Sequence, residues 1–111
     1  MLDDLDAVVA APKHHKVLLE DDRIRVLETL IRPGEETEIH THLWGGYLYV
    51  ISFSHFIRYD DKRNVMVDSR TLDSLPADGT AVWASPLPPH SLKNVGDREI
   101  HVILTEIKIP S

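Results

Sequence analysis

Alternating apolar and polar positions run through most of this chain and predict extended strands rather than helices. β-Branched and aliphatic residues dominate Ile24–Ile31 and Ile100–Ile107. Strands favour these residues because their side chains suit a pleated, half-buried surface. Turn-forming sequences such as Pro33-Gly34 and the charged run from Asp60 to Asn64 separate the apolar segments. The pattern therefore predicts an all-β protein.

The longest predicted strand runs from Tyr47 to Tyr59. Because side chains alternate between the two faces of a strand, one set is predicted to face inward: Leu48, Val50, Ser52, Ser54 and Phe56. The outward set forms a largely apolar stripe: Tyr47, Tyr49, Ile51, Phe53, His55, Ile57 and Tyr59. Such a stripe is too apolar for a free surface, so we expect a second layer, the N-terminal arm or another subunit to cover it. A homodimer is favoured because two-fold dimers are the commonest assembly.

The start of the chain departs from the strand pattern. Leu2–Ala11 is composed of good helix formers and ends at Pro12, which predicts a short helix or an ordered arm. His14 and His15 follow it; adjacent side chains point to opposite sides of a strand, so we expect a solvated pair rather than a chelate. The predicted organisation is an arm over residues 1–15, one β domain over 16–108 and a tail over 109–111.

Length and charge narrow the function classes. The chain has 111 residues, enough for one domain, and a formal net charge of -6. An acidic chain is unsuited to the phosphate backbone of a nucleic acid. It contains no cysteine, no apolar segment of transmembrane length and no signal-peptide pattern at Met1-Leu2-Asp3-Asp4. We therefore expect a cytoplasmic enzyme or binding module with a small-molecule ligand, and neither a nucleic acid nor a membrane as partner.

Two histidines on one predicted strand are candidate metal ligands. His40 and His42 are two residues apart and project from the same face, with Ile39 and Thr41 on the other. Neutral imidazole is the commonest protein metal ligand. A third candidate, His90, follows the stiff segment Ser85–Pro89, which should hold it firmly.

The spacing around these histidines resembles a known family. Gly34, then five residues, then His40-Thr41-His42 is similar to the start of the first cupin motif. His90, three residues and Asn94 are similar to the end of the second. Over residues 16–108 the chain resembles small single-domain RmlC-like cupins. The resemblance implies a double-stranded β-helix, also called a jelly-roll barrel, preceded by a short N-terminal arm or helix.

The resemblance also implies a metal site with a reduced ligand set. The first cupin motif usually continues with a glutamate four or five residues after its second histidine, where this chain has Gly46 and Tyr47. The ligands carried over are therefore His40, His42 and His90, as in three-histidine cupins. One divalent transition metal is implied, with Fe(II) the first expectation and Zn, Ni, Mn or Cu as alternatives.

Three neutral ligands would leave open coordination positions, which are typical of catalytic rather than structural metal sites. The uncompensated positive charge would favour anionic, bidentate ligands. By analogy with three-histidine cupins, we expect a non-haem dioxygenase type of enzyme acting on an enolisable or carboxylate-bearing small molecule. The alternatives are a non-catalytic sensor or binding module for a metal or small ligand, and an isomerase or epimerase.

Several other side chains have predicted positions. Trp44, Tyr47 and Trp83 are pocket candidates. Glu28 and Glu106 are strand carboxylates that could enter the cavity, but we expect both to point outward into solvent. His55 is predicted at a surface or interface, and His101 is predicted to be a partly buried structural residue.

Overall fold

The computed structural model describes residues 4–108, and within that range the chain forms nine strands, one short α-helix and one 3₁₀ turn. Leu2 and Asp3 of the predicted helical arm, and the predicted tail at residues 109–111, lie outside the described residues. No helix within residues 4–108 is long and apolar enough to cross a membrane.

The elements follow one another with short connections. Their bounds are α1 Ala7–Ala10, β1 His15–Glu20, β2 Ile24–Ile31, β3 His40–His42, β4 Gly46–Ser52, β5 Phe56–Asp60, β6 Val65–Asp68, the 3₁₀ turn Ser69–Thr71, β7 Ala81–Ala84, β8 Leu87–Asn94 and β9 Ile100–Ile107. The predicted all-β class is confirmed.

Two antiparallel sheets form the domain. One has the strand order β1-β2-β9-β4-β7 and the other β3-β8-β5-β6. Every second residue of β2 and β9 is buried, as the alternation of their side chains requires. The main core cluster draws on both sheets: Ile31, Val50, Phe56, Ile100 and Val102.

The predicted strand Tyr47–Tyr59 is two strands in different sheets, because the chain crosses between them at Phe53-Ser54-His55. The outward position predicted for Phe53 is therefore wrong: its ring packs on the core at 5.6 Å from the Phe56 ring centroid. A shift of register between Val50 and Ser52 against β9 accompanies the crossing. Alternation can be extrapolated only within one continuous strand.

The N-terminal arm is fixed to the barrel. Asp6 caps α1 by accepting a hydrogen bond from the Val8 amide at 3.1 Å. The Thr41 amide, between the two candidate ligands of β3, donates to the Leu5 carbonyl at 2.7 Å. The arm therefore packs directly beside the predicted site.

Candidate metal centre

Four histidines line one cavity of about 130 Å³: His15, His40, His42 and His90. The ring centroids of His40 and His42 are 5.0 Å apart, and those of His40 and His90 are 4.3 Å apart. The structure thus brings together the three histidines predicted from the sequence. It adds a fourth, because the ring centroid of His15 lies 4.6 Å from that of His40.

Strand pairing places these side chains. Antiparallel pairing of β3 with β8 sets His40 directly opposite His90. His42 lies two residues further along β3, and His15 begins β1, where it pairs with Thr29 of β2. The centre therefore combines three strands that are far apart in sequence and belong to both sheets.

Three of the rings are held by backbone carbonyls in a single tautomer. The Nδ1–H group of His15 donates to the Ala11 carbonyl at 3.0 Å, that of His40 to the Glu38 carbonyl at 2.7 Å, and that of His90 to the Pro88 carbonyl at 2.7 Å. A carbonyl can only accept, so Nδ1 carries the proton and Nε2 keeps its lone pair. This is the outer hydrogen bonding that typically orients metal-ligating histidines.

The same three imidazoles are kept neutral. Burial lowers the pKa of His40 to about 2, with the nearby His15 and His90 adding to the effect. Burial likewise lowers the pKa of His15 and of His90 to about 4. Neutral imidazole is the form that binds a metal.

The donor set fits a divalent transition metal. Ligand atoms of His15, His40 and His42 all lie within 4.8 Å of one another, and His90 lies against His40. The buried atoms without a hydrogen-bond partner include Nδ1 of His42 and Oε2 of Glu106. These two atoms are 3.6 Å apart, so a carboxylate oxygen borders the centre without belonging to the cavity lining.

The predicted solvent exposure of His15 is wrong, since only 5% of this residue is exposed. β1 begins one residue earlier than predicted, and its alternation places His15 on the inner face. His14 points to the other side, 3.6 Å from the Glu35 carboxylate. The alternation of side chains along β1 could have predicted this position, because His15 lies on the same face of the strand as Val17.

The predicted solvent exposure of Glu106 is also wrong. Glu106 is fully buried, and its Oε1 accepts a hydrogen bond from Nε of Arg25 at 2.6 Å. The other two nitrogens of the Arg25 guanidinium bind the Asp6 carboxylate at 2.9 and 3.0 Å. Glu106 lies on the buried face of β9 with Val102 and Leu104, and that shared register was the available signal. Sequence reasoning missed the whole Asp6–Arg25–Glu106 network.

Only one of the three aromatic pocket candidates lines the cavity, namely Trp44. Tyr47 and Trp83 do not; they are 55% and 52% exposed and pack against each other on the outer face, with ring centroids 5.3 Å apart. Glu28 pairs with His101 at 2.6 Å, away from the centre.

The metal-free protein is expected to lose stability as the pH falls from about 6.5 towards 4. The pKa of His15 and of His90 is lower in the folded protein than in the unfolded chain, so unfolding takes up protons in this range. The stabilisation is fully present above the unfolded value and is lost on the way down to the folded one. Each imidazole contributes on the order of 3 kcal/mol.

Urea unfolding at several pH values, in the presence of a chelator, measures this effect. His90→Gln should reduce the dependence of the unfolding free energy on pH in this window. An unchanged dependence in that variant would contradict the expectation.

Solved structures with a similar fold support the assignment of architecture. No protein-family model matches the chain, and no curated protein matches it by sequence. A cupin domain from Bordetella pertussis Tohama I superposes with a TM-score of 0.66 at 20% identity, covering 86% of this chain and 92% of that one. An RmlC-like cupin with a double-stranded β-helix from Methanocaldococcus jannaschii gives a TM-score of 0.57 at 10% identity, over 84% and 77%.

A third similar structure is the polyketide cyclase RemF from Streptomyces resistomycificus. It gives a TM-score of 0.54 at 18% identity, over 84% of this chain and 63% of that one. At these identities the similarity shows the fold alone. The predicted double-stranded β-helix is confirmed.

Proposed function

We propose that this protein, which has the cupin fold, is a metal-dependent small-molecule enzyme of the non-haem dioxygenase type. Its substrate would be enolisable or carry a carboxylate. One observation carries the proposal: three buried, neutral imidazoles donate Nδ1–H to backbone carbonyls and keep Nε2 free beside a largely apolar cavity. Side chains held in this way are arranged before any ligand arrives.

The proposed ligands are His40, His42 and His90, and His15 is a fourth candidate because its ligand atom lies within 4.8 Å of those of His40 and His42. A divalent transition metal bound there, with Fe(II) the first candidate, would supply Lewis acidity and redox chemistry towards dioxygen. The chain's own part is to hold the imidazoles neutral and to surround the site with a largely apolar wall. Aliphatic and aromatic side chains make up most of the cavity wall: Ile31, Leu48, Phe53, Phe56, Leu87, Leu92, Ile100, Val102 and Leu104.

The second candidate function is a non-catalytic binding or sensor protein for a metal or a small ligand. The observation in its favour is that the described lining of the cavity contains no carboxylate, tyrosine, lysine or cysteine. A general base other than histidine is therefore missing from the described cavity wall.

Oxygen consumption separates the two functions. We would load the protein anaerobically with Fe(II), add pentane-2,4-dione or members of a series of 2-oxo acids, and then admit air. Oxygen uptake in step with substrate loss, absent from the His40→Ala/His42→Ala variant, would support the enzyme. Stoichiometric metal without oxygen uptake on any of these compounds would favour the sensor.

We also propose a homodimer formed through the outer stripe of β4. Tyr47, Tyr49 and Ile51 are 55%, 47% and 42% exposed, and Trp83 of the neighbouring β7 is 52% exposed. A contiguous apolar surface of this kind is typical of an interface. Light scattering at micromolar concentration should give the mass of a dimer.

The charged variant Tyr49→Glu should give the mass of a monomer. The matched control is Leu18→Glu, which alters an exposed side chain on β1, at the opposite edge of the same sheet. A monomeric wild-type protein would reject the interface.

A further inference from the structure

Arg58 is a charged residue in the cavity wall that has no counter-ion among the residues the structure describes. It lies in the middle of β5, lines the same cavity as the four histidines and is half-buried. Its Nε atom is buried without a hydrogen-bond partner. No carboxylate within residues 4–108 forms an ion pair with it.

Five other arginines among the described residues differ in this respect. Each forms an ion pair with a carboxylate: Arg25, Arg32, Arg63, Arg70 and Arg98. Burial lowers the pKa of Arg58, and no charged partner opposes that effect. A guanidinium nevertheless remains protonated in proteins, and a buried charge without a partner is costly. The Arg58 guanidinium therefore lacks an anionic partner among the described residues, and a bound anion would stabilise its charge.

The surroundings define where that anion would lie. Arg58 is paired with Leu92 of β8, which is two residues from His90 on the same strand. The positive charge of Arg58 contributes to lowering the pKa of His90, so the guanidinium is within electrostatic reach of the histidine centre. The Phe56 ring lies 5.6 Å from the Arg58 guanidinium carbon and helps to fix the side chain on the inner face.

We propose that Arg58 binds the carboxylate of a small organic acid whose apolar remainder occupies the cavity towards the histidine centre. The inference rests on the proposed function only in placing the ligand in the same cavity. A guanidinium presents parallel N–H donors that match the two oxygens of a planar carboxylate. A phosphate would turn its additional oxygens towards apolar walls, where they would lack partners.

The size of the cavity limits the acid. About 130 Å³ is well below the ~300–1,000 Å³ of sites that hold drug-sized ligands. The expected ligand is a monocarboxylate with a short aliphatic or 2-oxo-aliphatic chain.

Calorimetric titration of the chelator-treated, metal-free protein tests this assignment. The probes are straight-chain carboxylates from propanoate to hexanoate, with butanamide as the neutral analogue of butanoate. We expect at least one carboxylate to bind, and butanoate to bind at least ~10-fold more tightly than butanamide. Arg58→Met should weaken carboxylate binding ~10–100-fold, the range for losing charge-assisted hydrogen bonds.

Two further variants keep the result interpretable. Arg58→Lys retains the positive charge but lacks the parallel N–H donors of a guanidinium. It should bind carboxylates with intermediate affinity, a result that a loss of folding would not produce. Arg70→Met removes an exposed arginine that pairs with Asp68 and should bind like the wild type. Equal binding of acid and amide, undiminished binding to Arg58→Met, or no carboxylate binding at all would overturn the assignment.

Metal analysis of the same preparations separates this inference from the proposed function. Carboxylate binding through Arg58 in a protein that takes up no metal would reject the dioxygenase and leave the anion site standing. Full metal uptake with unchanged butanoate binding in Arg58→Met would reject only the anion site.

Discussion

Substituting His40→Ala together with His42→Ala is expected to abolish stoichiometric metal binding while the barrel stays folded. The two residues supply neighbouring donors from β3, and their ring centroids lie 5.0 Å apart. Losing both should weaken metal binding by more than the ~10–100-fold that removal of an outer hydrogen-bond partner costs. Elemental analysis of protein purified without an affinity tag, with circular dichroism as the check on folding, measures the effect.

The matched control removes two histidines elsewhere. His55 and His101 lie outside the cavity lining, with hydrogen bonds to Ser69 and Glu28 respectively. His55→Ala/His101→Ala should therefore keep about one equivalent of metal. Retention of stoichiometric metal by the His40→Ala/His42→Ala variant would refute the ligand assignment.

Single variants would determine whether His15, His90 or both bind the metal in addition to His40 and His42. The family resemblance implies His90, whereas the group of ligand atoms that all lie within 4.8 Å of one another contains His15 together with His40 and His42. Loss of metal from His90→Ala but not from His15→Ala would identify the set taken from the resemblance. The reverse result would identify His15 as the ligand, and loss from both would indicate a four-histidine centre.

Arg25→Met is expected to lower the free energy of unfolding by about 3–5 kcal/mol. The Arg25 guanidinium, the Asp6 carboxylate and the Glu106 carboxylate are each no more than 1% exposed. Burial alone would lower the pKa of Arg25, but its hydrogen bonds to both carboxylates outweigh burial and raise it. Removing the arginine would leave two buried carboxylates facing each other without a cation.

Urea unfolding measures this loss, which is a large share of the 5–15 kcal/mol typical of a folded domain. Arg23→Met, an exposed arginine two residues earlier, is the control and should change stability by less than ~0.5 kcal/mol. Adding Asp6→Asn and Glu106→Gln to Arg25→Met should restore part of the loss. Stability of Arg25→Met within 1 kcal/mol of wild type, a threshold well below the expected range, would contradict the expectation.

The same variant tests whether the arm supports the centre. Asp6 joins the arm to Arg25, and the Ala11 carbonyl at the end of α1 orients the His15 ring. Hydrogen exchange at the Thr41 amide, which donates to the Leu5 carbonyl, should therefore be faster in Arg25→Met than in Arg23→Met.

Local periodicity determined much of the architecture. β2 and β9 have the predicted bounds, Ile24–Ile31 and Ile100–Ile107, because uninterrupted alternation is a property of neighbouring residues. The placement of His40 and His42 on one strand has the same origin. The outward position of Tyr47, Tyr49 and Ile51 could also be predicted, since these residues precede the crossing between sheets.

Only the tertiary structure determined the parts that depend on distant partners. Whether Phe53 turns inward depends on where the chain leaves one sheet for the other, and alternation carries no such information. Glu106 was predicted to be in solvent, and burying a carboxylate is costly unless it has a partner. Its partner Arg25 lies 81 residues earlier, and the fold alone brings the two together. His15 joins the centre for the same reason: pairing of β1 with β2 and the fixed arm carry its ring to histidines on strands remote in sequence.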